Sequence, residues 1–126
     1  MSPTPEQLDY LDTCIDWAAQ HPERHNQRVW HCGTTMCIAG IGCHLDPDTE
    51  WGTPSKDYQV LFDGFEIGYV RVRGFRLGVS DRAQALFGLD NEEAVDLFYG
   101  RPTLTDIREF AAGLRDQYDI PAAVPR

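Results

Sequence analysis

The sequence predicts a mainly helical α+β domain, with about five helices around one core and a small antiparallel β-hairpin or meander at one side. Three observations predict it. Both flanks of the chain carry apolar residues at helical spacing behind Thr, Ser or Asp capping signals. The middle alternates apolar and polar residues around glycine turns. The composition, 42% hydrophobic and 25% charged over 126 residues, is that of one ordinary globular core. A chain of this length buries about two-thirds of the surface it exposes when unfolded, so it can fold without covalent staples. The reading is one domain over residues 1–126, with 1–3 and 121–126 frayed.

The first helix opens with Thr4-Pro5-Glu6-Gln7, a capping box with proline at the first helical position. Leu8, Leu11, Ile15 and Ala18 then share one face, with Cys14 beside them, until His21-Pro22 stops the helix. A second helix is expected over 35–45 with Thr34 as its N-cap. Its Ala39, Gly40 and Gly42 cost helix propensity but let another element approach closely, so it is read as the central, buried helix. Pro47, Gly52 and Pro54 mark a loop over 46–57, from which Trp51 folds back onto the core. Asp63-Gly64 between two apolar runs signals a hairpin, and Gly74 turns a second pair of runs. Ser80 is expected to cap a helix over 81–87 closed by Gly88. Asp90 to Glu93 opens a fourth helix with a capping-box pattern. Thr103 caps a fifth, whose stripe is Leu104, Ile107, Ala111, Leu114 and Tyr118 with Phe110 alongside.

The most distinctive stretch is Trp30-His31-Cys32-Gly33-Thr34-Thr35-Met36-Cys37-Ile38-Ala39-Gly40. Together with Leu97-Phe98-Tyr99 it resembles small actinobacterial and actinobacteriophage proteins that share a Trp-x-Cys-Gly-Thr-x-x-Cys-x-Ala-Gly segment. The resemblance implies an actinobacterial or phage origin and assigns no reaction. It covers about a tenth of the chain closely, and Ile41 stands where an aromatic often follows in the group.

With Thr34 as N-cap, Cys37 occupies the third helical position, where unpaired N–H groups and the helix dipole favour thiolate. The plainest reading of these cysteines is that they are small buried hydrophobes. Three others stand beside it. Cys32, Cys37, Cys43 and His44 (or His31) offer ligands for zinc, although not at the C-x₂-C spacing of common zinc sites, and no cofactor is favoured. Cys32 and Cys37 form a disulfide or redox pair. Cys37 or Cys32 acts as a nucleophile, with His31, His44 or His25 as base. His44, near the end of the second helix, suits the dipole there as a cation.

Charge and targeting signals narrow the remaining classes. The formal net charge of −9 opposes general nucleic-acid binding and suits a basic protein partner. The N-terminus lacks the basic and apolar regions of a signal peptide, and no apolar run is long enough to span a bilayer. The expected location is the cytoplasm, that of the host if phage-encoded, where thiols stay reduced. Arg71, Arg73 and Arg76 form a basic stripe on the β region, with Arg71 and Arg73 expected on one strand face, a candidate anion site that Glu66 is placed to pair with. Asp46, Asp48 and Glu50 lack the glycine and distal glutamate of a calcium loop. Phosphate-loop, dinucleotide and zincin motifs do not occur.

The favoured function is therefore a non-enzymatic, phage-encoded binding protein that engages a host protein. The alternatives are a small-molecule or nucleotide-binding module using the arginine stripe, and a thiol enzyme or redox protein at Cys32 and Cys37.

Overall fold

The structure is a computed structural model that describes residues 2–29, 36–51, 58–61 and 64–122, with backbone alone for 58–61 and 64–67. Helix α1 (Pro5–Gln20) begins as its capping box dictates. The Gln7 N–H donates to Thr4 Oγ1 at 3.2 Å, and the Thr4 N–H donates back to Gln7 Oε1 at 2.8 Å. Leu8, Leu11, Cys14, Ile15 and Ala18 form its buried face. After a 3₁₀ turn at Pro22–Arg24, the loop that follows pairs with the entry to the next helix. The Met36 N–H donates to the Arg24 carbonyl (2.8 Å), the Asn26 N–H to the Met36 carbonyl (2.9 Å) and the Cys37 N–H to the Val29 carbonyl (2.7 Å).

That pairing displaces the expected start of the second helix. Helix α2 spans Ile38–Leu45, and its N-cap is Cys37, not Thr34. Met36 bridges to His25 and its carbonyl accepts the Asn26 N–H, while the Gly40 N–H that would close a turn on that carbonyl goes to Cys37 Sγ, so the helix begins only after Cys37. Residues Thr34 and Thr35 themselves lie outside the described residues. The helix is central, as its small residues predict, and 38–43 are all buried. It packs on both α1 and α3 (Val79–Phe87). A Cβ placed on Gly42 would lie 2.6 Å from Phe87 Cζ, so glycine sets how closely α2 and α3 approach.

Helix α3 also starts earlier than expected, because its N-cap is Gly78 and Ser80 falls within the first turn. The Val79 N–H is met by the Gly68 carbonyl at 3.0 Å, a tertiary partner that makes a side-chain cap at Ser80 unnecessary. Gly88 closes the helix in the left-handed region at φ 70°. Helices α4 (Asn91–Gly100) and α5 (Leu104–Tyr118) both open with capping boxes, Asp90 with Glu93 and Thr103 with Asp106. α5 packs on α1 and α4 on α3.

The β region divides into two sheets. β2 (Tyr58–Leu61) and β3 (Gly64–Ile67) pair antiparallel, with Leu61 opposite Gly64. Gly64, expected in the hairpin turn, opens the second strand, and positions 62 and 63 lie outside the described residues. β4 (Tyr69–Val72) and β5 (Phe75–Gly78) form a second hairpin, whose turn residues Arg73 and Gly74 have φ of 51° and 84°. Two successive positive φ values match the right-handed twist of the flanking strands. The loop expected over 46–57 contributes a short strand, β1 (Glu50–Trp51), which pairs with β4 and gives the sheet order β1-β4-β5. Trp51 pairs in register with Val70 and packs half-buried on the core. Among the described residues, no helix is long and apolar enough to cross a membrane.

Candidate functional site

Three of the four cysteines lie inside the core. Cys14, Cys37 and Cys43 are 0%, 1% and 1% exposed, too little to admit a substrate. The Cys37 sulfur does sit at a helix start, but as the cap: it accepts the Gly40 N–H at 3.5 Å. The Cys43 thiol donates to the Val79 carbonyl at 3.7 Å. Burial pushes the Cys14 thiol up to about 12, only partly offset by its hydrogen bond to Tyr10, and burial pushes Cys43 up as well. Cys14 and Cys43 are neutral packing groups, the reverse of an activated nucleophile. Cys32 and His31 lie outside the described residues.

The remaining candidate ligands do not converge. His44 follows Cys43 in α2 but faces away from it, exposed, with its ring 5.6 Å from that of Trp17. Loss of solvent and then the nearby Arg24 charge hold its pKa below the ordinary histidine value, which opposes the cationic role expected at the helix end. His21 stacks on the same Trp17 at 4.3 Å, and its Nδ1 meets the Trp17 carbonyl at 2.9 Å. Among the described residues, no three of His, Cys, Asp or Glu are grouped to hold a metal.

The arginine stripe is also rearranged. Arg73 leaves the strand for the turn, so it does not share a face with Arg71. The register sets Arg76 opposite Arg71 on one side and Glu50 opposite it on the other. The Arg76 guanidinium lies 3.7 Å from the Tyr69 ring centroid. Glu66, whose backbone lies in β3, is in the other sheet. The resulting surface is a mixed ladder of carboxylate, guanidinium and aromatic groups, not a cluster of converging cations. Asp46, from the acidic loop, ties that loop to α3 by accepting from Thr49 Oγ1 (2.5 Å) and Arg82 Nη2 (2.9 Å).

A surface with recognition character lies at α4 and α5, marked in the sequence only by the Leu97-Phe98-Tyr99 run. Glu92, Val95, Asp96 and Tyr99 recur at three- and four-residue spacing along the outer face of α4. Val95 is 59% exposed and Tyr99 69%. Beside them a cleft of about 370 Å³ opens between the two helices. Asp90, Glu92, Glu93, Asp96 and Glu109 line it together with the guanidinium of Arg101, and Phe110 and Leu114 contribute apolar wall. Some of these carboxylates also work within the fold: Glu93 accepts from the Tyr118 hydroxyl at 2.7 Å, and Asp96 holds Arg101 through two bonds of 2.9 and 3.0 Å.

Across Arg101, the loop at 26–28 carries a second polar centre. Gln27 Oε1 accepts the Ile38 N–H at 2.6 Å and lies 3.0 Å from His25 Nε2. Gln27 thereby meets the first orphan N–H of α2 from outside the helix. Its amide nitrogen is buried and has no hydrogen-bond partner among the described residues, a deficit that costs about 1–3 kcal/mol. No family model, curated protein or solved structure matches the chain.

Proposed function

We infer that this chain is a non-enzymatic binding protein that engages a partner protein through the outer face of α4 and the acidic α4–α5 cleft. The observation that carries the reading is the combination there of exposed Val95 and Tyr99 with five carboxylates lining an adjoining cleft. Exposed aromatic residues next to charge are common at protein interfaces, where the apolar groups supply affinity and the charges steer encounter. The partner surface that fits is basic with apolar residues interspersed, in keeping with the net charge of −9. Burial of Cys37 adds support, because it removes that candidate nucleophile from contact with substrate. The phage-like segment around Cys37 makes a host bacterial protein the first partner to seek.

The test is affinity capture from actinobacterial lysate with the wild-type chain and with a Glu92→Lys/Glu109→Lys/Tyr99→Ala variant. The expected result is a protein retained by the wild type, lost from the variant, and released at about 0.5 M salt, where charges are screened within a few ångströms. Retention of the same proteins by both baits overturns the reading.

A further inference from the structure

A pocket of different character adjoins the turn between α4 and α5. Its volume is about 360 Å³, and its walls include Gln27, Arg28, Phe98, Tyr99, Arg101 and Pro102. Among the described residues no carboxylate lines it, on a chain with 20 acidic residues against 11 basic ones. Such a pocket in an acidic protein is a place where an anion meets the least repulsion. Its size is at the small end of ligand sites.

Two of its groups are poised for an acceptor. Arg101 is already neutralised by Asp96, whereas Arg28 is exposed and, among the described residues, its guanidinium has no partner. Gln27 is the second. The Ile38 N–H requires an acceptor, so the Gln27 oxygen must face it; turning the amide over would set two N–H donors against each other. The amide nitrogen is thereby fixed on the other side, where it lacks an acceptor among the described residues.

We propose that this pocket binds a small aromatic carboxylate. The planar Arg28 fork matches a carboxylate, Tyr99 and Pro102 pack on the ring, and the Gln27 amide, whose nitrogen is buried, supplies a second donor once the side chain shifts to uncover it. One unpaired guanidinium and one neutral amide balance a single negative charge. A phosphate dianion would leave a charge that nothing else in the lining offsets. The pocket shares Arg101 with the α4–α5 cleft and Tyr99 with the outer face of α4, but its donors Arg28 and Gln27 belong to neither, and the proposal does not rest on the partner-binding reading.

The test is a two-dimensional amide NMR titration of the full chain with 4-hydroxybenzoate, its methyl ester and adenosine monophosphate, each to about 10 mM. 4-Hydroxybenzoate should shift the Gln27 side-chain amide and the backbone of 26–28 and 98–102, while the ester leaves them in place. Arg28→Ala, at an exposed position, should keep the spectrum of the folded protein and weaken binding about tenfold or more. Arg28→Lys should fall between. No shift with 4-hydroxybenzoate overturns the proposal. So do equal shifts with the ester, a response to the nucleotide alone, or unchanged binding in Arg28→Ala.

Discussion

At the scale of single residues, burial decides what the thiols do. Cys14 and Cys43 are held as neutral groups because the core offers no solvent to a thiolate. Below the ordinary thiol value of about 9 the folded and unfolded states both keep the proton, so stability is intact. Above it the unfolded thiols ionise first, and stability falls as pH rises toward the folded value of about 12 for Cys14. The expected loss is about 1 kcal/mol per thiol for the first pH unit above 9, read as a falling urea midpoint. Tyr10, also pushed up by burial and donating to the Gly42 carbonyl, steepens the fall at higher pH. A midpoint constant from pH 8 to 10, or a decline unchanged in Cys14→Ala and Cys43→Ala, contradicts this. The sequence made the burial of these cysteines legible through their apolar and small neighbours. It misplaced Cys37 by three positions, nearly a full turn, because the main-chain bonds that delay α2 come from residues 24–29, and local capping rules do not see them.

At the scale of elements, legibility followed the range of the interaction. The capping boxes at Thr4, Asp90 and Thr103 are complete within four residues, and each stood plain in the sequence. Strand β1 is two residues long and exists only through β4, about twenty positions further on, so no periodicity marks it. Ser80 was a reasonable local cap until Gly68 supplied a carbonyl from across the chain. The small residues of α2 were informative because close approach restricts side-chain size directly. Gly42→Ala tests that reading. Helix propensity alone predicts a gain of about 1 kcal/mol for an exposed glycine. The 2.6 Å clash with Phe87 predicts instead a net loss of about 1–3 kcal/mol in chemical denaturation. A stabilised variant would show that α2 and α3 are not in the contact described.

At the scale of the whole molecule, the acidic cleft and the arginine-bearing pocket were illegible. The pocket joins 26–28 to 98–102 and the cleft joins two helices, so neither is a motif in one stretch. The same holds for the tie between α1 and α5. Arg115, 9% exposed, donates to Asp9 at 2.9 Å, to Asp12 at 2.5 Å and to the Pro121 carbonyl at 2.6 Å. Both aspartates keep part of their hydration, which moderates what the tie contributes. Arg115→Ala should therefore cost about 2 kcal/mol and lower the Tm by several degrees, with Arg115→Lys recovering only part. An unchanged melting curve would remove the tie from the account of stability.

The spacing of that tie has a consequence for synthesis. Asp9 and Arg115 stand 106 positions apart, so a growing chain exposes its first helix long before the residue that fastens it is made. Closure of the α1–α5 contact on the ribosome would then wait until α5 has emerged.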